Sequence, residues 1–282
     1  MQALAGLKVG FIGGGAMGGA LATGLVRSGR VAPEQVLVSD VSAERLAELS
    51  RTLGIKTLSD NRSLAQEADI IVLAVKPDQV RPVLEEISDL VRPEQTLISI
   101  AAGVSLAELQ SWAGKAVPVV RVMPNTPALV GEGASAYALG SHAGSRDAER
   151  TEALMSAVGR VVRVPKEELL DAVTGLSGSG PAYVYLVIEA LAEGGVRMGL
   201  SWKEALLLAA QTVLGAAKMV LASEEHPSVL KGRVMTPAGT TVEGLFVLED
   251  RGVRAAFIEA VKAAALRSKE MRLGKNEKGG KN

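Results

Sequence analysis

An apolar stretch that runs straight into glycines spaced G-x-G-x-x-G, and from there into a helical pattern, leaves a chain few folds to choose from. Lys8-Val-Gly-Phe-Ile-Gly-Gly-Gly-Ala-Met-Gly-Gly has this order and predicts a strand, a tight turn and a helix over 16–27. Gly13 permits the turn, Gly15 offers no side chain to hold off a pyrophosphate, and Gly18 lets the helix lie close on the strand, so the helix start turns free N–H groups toward phosphates. Gly13, Gly15, Ala16, Met17 and Gly18 are therefore candidate cofactor contacts, and a dinucleotide is the implied ligand. A ligand-free glycine-rich turn is the plain alternative. The position of the motif between a strand and a helix argues against it.

The 282 residues leave room for a second domain after a nucleotide-binding one. Lys plus Arg equals Asp plus Glu at 31 each, so no global field favours nucleic acid or an acidic membrane surface, and small molecules or protein are the expected partners. With no cysteine, disulfides and thiolate metal ligands are excluded, and a reducing compartment suits the chain. The first residues lack a basic and then apolar leader, and no stretch reaches membrane-spanning length without a charge or a breaker. A cytoplasmic location, with neither membrane nor nucleic acid as partner, is expected.

In the first half, short β-branched runs alternate with amphipathic helical stretches, the signature of a parallel sheet with crossover helices. Strands are expected at 8–12, 35–38, 56–58, 70–74, 96–100, 117–123 and 160–164, with helices at 43–53 and 80–90 among those between them. After Pro165 the character changes. Helical patterns at 182–198, 202–222, 240–249 and 253–273 dominate, with no convincing strand from 167 to 273. This predicts an α/β chain: a dinucleotide-binding parallel-sheet domain over 1–165, an all-α domain over 166–274, and a polar, glycine-rich tail over 275–282 expected to be disordered. The stretch from Ala182 to Ala192 is hydrophobic nearly all round, as a surface helix of a monomer would not be. An intertwined homodimer would cover such helices; a helix buried centrally within one chain is the alternative.

Strand ends supply further candidates, because ligands of a parallel sheet sit at its carboxyl edge. The second strand ends at Ser39-Asp40, about twenty residues past the last glycine, where an acid hydrogen-bonds the adenosine ribose and disfavours a 2′-phosphate. Ser39, Ser42 and Arg45 would instead receive that phosphate if Asp40 points away, so both NADPH and NADH stay open. Ala74-Val-Lys-Pro ends the fourth strand, with Pro77 fixing a bend and Lys76 either touching the cofactor or solvated. Ala101, Ala102 and Gly103 after the fifth are small enough for a nicotinamide ring to approach the backbone. Asn125, between two prolines after the sixth, is a ligand or a turn former.

In the second half, Gly175-Leu-Ser-Gly-Ser-Gly-Pro-Ala sets Ser179 at a helix start, and Thr236-Pro-Ala-Gly-Thr-Thr opens another with Gly239 and two hydroxyls. Backbone N–H groups at a helix start beside a hydroxyl make a carboxylate receptor; ordinary capping is the alternative at both places. His142 and His226 lie far apart with no paired acids, so no metal site is expected.

These strings, with Met123-Pro-Asn-Thr-Pro, Gly215-Ala-Ala-Lys-Met and Glu225-His-Pro, occur in an order that resembles the pyrroline-5-carboxylate reductases over 8–272. The resemblance implies a Rossmann domain joined to a helical dimerisation domain. It implies NADPH- or NADH-dependent reduction of Δ1-pyrroline-5-carboxylate to L-proline, and dimers that often assemble five to a decamer. It also implies that Gly239 and Thr240 hold the substrate carboxylate, that Thr241 lies by the ring nitrogen, and that Glu225 and Ser179 contact the substrate, Glu225 from the neighbouring subunit. Two departures stand out. Ala238 replaces a customary glycine and is tolerable at negative φ, and Asp40 stands where many members carry a small or uncharged residue. A β-hydroxyacid dehydrogenase, with Lys218 as acid–base, and a regulatory scaffold are the competing readings; the Ser179 and Thr241 strings argue against both.

Overall fold

In the computed structural model, which describes residues 2–114 and 116–278, the apolar runs of the N-terminal half become strands of one sheet. In chain order they are β1 (Val9–Ile12), α1 (Ala16–Arg27), β2 (Val36–Ser39), α2 (Ala43–Leu53), β3 (Lys56–Leu58), α3 (Asn61–Glu67), β4 (Ile70–Leu73), α4 (Val80–Ile87) and β5 (Thr96–Ser99). Then follow α5 (Leu106–Ala113), β6 (Val119–Met123), β7 (Gly133–Leu139), α6 (Ser145–Met155), β8 (Gly159–Arg163) and α7 (Leu169–Val173). The strand order is β3-β2-β1-β4-β5-β6-β7-β8, parallel throughout except that β7 runs antiparallel to β6. After β3 the chain returns to the other side of β1, which places the switch point of the sheet between β1 and β4.

Alternation along the strands splits the core in two. Val9, Phe11, Val36, Val38, Ile70 and Val72 face one side, whereas Leu37, Ile71, Leu73 and Leu97 face the other, all of them essentially inaccessible. Burying a side chain such as Phe11 contributes about 1.5–3 kcal/mol. The strand β7, Gly-Ala-Ser-Ala-Tyr-Ala-Leu, was not expected. Its residues have weak strand propensity and pair here because β6 and β8 flank it on both edges.

The compact unit built around the sheet extends past Pro165. Residues up to Gly178, together with those from Ala264 on, form the first unit, and Ser179–Ala263 form the second. Between 165 and 178 the chain still belongs to the sheet's unit: Glu167 pairs with the buried Arg121 at 2.7 Å, and Leu170 packs against Ala136 and Ala138 of β7. Asp171 is likewise buried and accepts from Ser268 at 2.9 Å and Arg272 at 2.8 Å. Charged anchors of this kind leave no periodic trace in a sequence.

The second unit contains α8 (Gly180–Arg197), α9 (Trp202–Ser223), α10 (Pro227–Val234) and α11 (Thr240–Asp250), and α12 (Val253–Lys278) divides between the two units. Where a tail was expected from 275, α12 continues through Lys278, since extending a helix already begun needs no new nucleus; residues 279–282 lie outside the described residues. Ala192, Ala205 and Ala209, with Ile188 against them, make the buried α8–α9 contact. Three alanine methyls at about 0.8 kcal/mol each fall far short of the 1–2 kcal/mol that each ordered residue costs in backbone entropy, roughly speaking. Tyr185, Leu186, Leu191, Leu207, Leu208 and Phe246 stay at least half exposed. A helix buried centrally within one chain is thus not what α8 is. By length and composition α9 would also suffice to cross a membrane, although, as expected of every stretch of that length, charges interrupt it at Lys203, Glu204 and Lys218.

Candidate functional site

The three motif glycines have different tasks. Gly13 adopts φ 104°, donates its N–H to the Ser39 carbonyl at 2.8 Å, and leaves so little room that a Cβ would lie 2.7 Å from the Ala74 carbonyl. A Cβ on Gly18 would overlap the carbonyl of Gly13. Both serve the backbone. Gly15, at the N-cap of α1, has φ −61° and faces open space, with no side chain capping the helix. Its missing side chain therefore keeps room for something other than protein, and the first-turn N–H groups of α1 remain directed at it.

That room is a cleft of about 530 Å³ at the switch point, lined by Gly13, Gly15, Ser39, Asp40, Ala74, Val75 and Lys76 from the predicted set. Ser59, Asp60, Asn61, Gln79 and Glu86 add polar groups to it and were not singled out. Applying the carboxyl-edge rule to the short β3 would have found Ser59 to Asn61. A second hollow of about 240 Å³ shares Ala74 and Val75 and adds Met17, Pro77, Ala101 and Ala102 to Met123 and Pro124. An uncapped helix start, a vacant glycine side and a small-residue floor fit a dinucleotide.

Three further predicted contacts are not in the lining of either hollow. Ala16 lines a separate cleft on the other flank of α1, beside Arg27 and Arg45. Gly103 is buried at φ 71°, where it lets the chain turn after β5. Asn125 is a structural bridge: its Nδ2 donates to the Ser177 carbonyl at 3.0 Å, and its Oδ1 accepts from Ala134 N–H at 2.8 Å. With 8% of its surface exposed, it ties the β6 loop to β7 and to the π-helical turn Thr174–Gly178. Two prolines advertise a defined loop but not which way its amide turns.

In the second unit, Gly239 is the N-cap of α11 and has no side chain to cap it. Its own N–H donates to the Thr236 carbonyl at 2.9 Å, closing the turn, so the donors left at the helix start belong to Thr240 and Thr241 instead. Ala238 sits at φ 56°, not at the negative φ expected of an alanine; the Thr236-to-Gly239 turn imposes it. Ser179 precedes α8 with helical φ and ψ and no capping bond, because the π-helical turn leads directly into it. Its hydroxyl is not spent on capping. Glu225 is gripped by Arg233 through two 2.6 Å hydrogen bonds. His226 caps α10 through Nδ1, and among the described residues no cluster of acids and histidines could hold a metal.

Residues 167–271 match the family model for pyrroline-5-carboxylate reductase dimerisation, and residues 8–103 match NADP oxidoreductase coenzyme F420-dependent. A pyrroline-5-carboxylate reductase of Methanosarcina acetivorans is 49% identical over 264 residues, covering 94% of this chain and 97% of that protein. The chain belongs to the pyrroline-5-carboxylate reductase family. Among solved members, the reductase of Coxiella burnetii superposes with a TM-score of 0.91 at 40% identity, over 94% of this chain and 98% of that one. The pyrroline carboxylate reductase of Plasmodium falciparum, solved with NADP bound, gives 0.83 at 36% identity, over 95% and 98%. This reductase is thus an oxidoreductase with a Rossmann-type sheet domain and a helical domain of the dimerisation type, as its motifs implied. The hydroxyacid dehydrogenase and scaffold readings fall with that result.

Proposed function

We propose that the chain reduces Δ1-pyrroline-5-carboxylate to L-proline with NADPH or NADH, the final step of proline biosynthesis, and that Thr241 orients the imine. The observation that carries the residue assignment is the uncapped start of α11, where the N–H groups of Thr240 and Thr241 have no side-chain acceptor from Gly239 and the Thr241 hydroxyl stands beside them, half-buried. Those donors suit the substrate carboxylate. A bound nicotinamide cofactor supplies the hydride. With the ring nitrogen protonated, the iminium carbon is already electrophilic, so the protein chiefly orients the reactants and excludes water. Ala101 and Ala102 provide a floor without side chains that would obstruct a ring. Ser179 offers its free hydroxyl, and Glu225 of the neighbouring subunit, steadied by Arg233, faces the nitrogen's side of the pocket.

The working unit in this reading is an intertwined homodimer, assembled five to a decamer in the cytoplasm, with neither nucleic acid nor membrane as partner. The exposed apolar faces of α8, α9 and α11 and the match to a dimerisation family support the dimer. Light scattering on the purified protein reads the stoichiometry directly.

Steady-state kinetics of Thr241→Ala and Thr241→Val test the site. Losing one positioned hydrogen bond of about 1.5–4 kcal/mol near the reacting centre lowers kcat/KM by roughly ten- to a thousandfold. Valine keeps the shape and should behave like alanine, with cofactor affinity unchanged. Near-wild-type activity of the valine variant would return this loop to ordinary capping.

A further inference from the structure

At the corner between β2 and α2, where a Rossmann domain receives the adenosine ribose, each polar group has an assignable partner. Asp40 Oδ2 accepts from Gly14 N–H at 2.7 Å and Oδ1 from Ser42 N–H at 2.9 Å, which fixes the carboxylate at the rim of the cleft. Each oxygen thereby uses one acceptor site and retains another. The groups that would receive a 2′-phosphate are engaged elsewhere. The buried Ser39 hydroxyl donates to Asn61 Oδ1 at 2.9 Å, and the Ser42 hydroxyl caps α2 by accepting from Arg45 N–H at 3.2 Å. Arg45 donates from Nε to the Gly14 carbonyl at 2.7 Å and pairs with Glu48 through Nη1 at 2.5 Å. Its Nη2 occupies the space that a side chain on Gly19 would fill, and the residue lines the cleft on the other flank of α1. The charges left facing the adenosine end are Asp40, Asp60 and Glu86, against Lys76 from the end of β4.

We propose that this chain selects NADH over NADPH, with Asp40 as the specificity-determining residue and Arg45 withheld from the ligand by Gly14 and Glu48. The inference rests on the functional reading only in taking the reductant to be a nicotinamide dinucleotide. A carboxylate with spare acceptor capacity suits the two ribose hydroxyls, and the same charge repels a 2′-phosphate in a corner that offers no free guanidinium. Like-charge opposition near a protein surface is worth at least a factor of ten in relative affinity.

Calorimetric titration of the full chain with NADH and with NADPH, without substrate, is the test, repeated with Asp40→Asn and Asp40→Ser. NADH should bind at least tenfold more tightly to the wild type. Asp40→Asn keeps an acceptor for Gly14 and removes the charge, so it separates repulsion from a loosened loop; both variants should shrink the ratio tenfold or more. Equal or tighter NADPH binding by the wild type overturns the proposal, and so does a ratio unchanged in Asp40→Asn. Tight, NADH-selective binding without reduction of pyrroline-5-carboxylate by either cofactor would instead overturn the functional reading and leave the cofactor choice standing.

Discussion

Ala238→Gly should raise the stability of this protein, against the usual direction for adding a glycine. Ala238 is held at φ 56° by the turn in which Gly239 N–H meets the Thr236 carbonyl. An L-residue with a Cβ in the left-handed region is strained by about 1–2 kcal/mol, and glycine relieves this. Against that gain, glycine in the unfolded chain has more freedom to lose, worth about 0.4–1 kcal/mol. The balance is a stabilisation of about 0.5–1 kcal/mol per protomer, which for a chain of this size corresponds to a rise in Tm of roughly 2 °C. Ala238→Val should move the other way by more than that, because a branched Cβ crowds the same φ further. Thermal unfolding followed by circular dichroism, at one fixed protomer concentration so that dimer mass action is constant, reads all three proteins. A glycine variant no more stable than wild type, or a valine variant unchanged, would refute the reasoning.

Gly15→Val should fold and assemble normally, since its Cβ would meet no protein atom within 4 Å, yet lose nearly all cofactor affinity; titration of the purified variant measures this, and undiminished binding would misplace the phosphates. The buried Asp147 carboxyl makes stability depend on acid. Burial alone would raise it, but hydrogen bonds from Gly144 N–H and the Thr96 hydroxyl, with Arg146 beside it, outweigh that and hold it below the ordinary carboxylate value. Its folded value being depressed, the stabilisation is full above the unfolded value of about 4 and is lost as pH falls through the folded one, so urea midpoints should drop in that window and drop less in Asp147→Asn.

Much of the first unit was legible in the sequence because its signals are local. The extent of α1 and α2 and the positions of β1 to β6 along the chain follow from periodicity and punctuating glycines, and the division of labour among Gly13, Gly15 and Gly18 follows from spacing alone. Strand β7 was not legible, since a Gly-Ala-Ser-Ala run becomes a strand only when two neighbours supply its hydrogen bonds. Nor was the direction of Asn125, whose amide is claimed by Ser177 and Ala134, residues separated from it by different distances along the chain. The same holds for the extra turn of sheet-unit packing beyond Pro165, set by the Asp171 and Arg272 pair. Sequence determined which residue types stand at the strand ends, because composition and period are properties of the chain itself. Only the tertiary structure decided which of their donors and acceptors are already spent, as with Gly239 N–H and Arg45, because that depends on groups that long-range folding brings within hydrogen-bond reach.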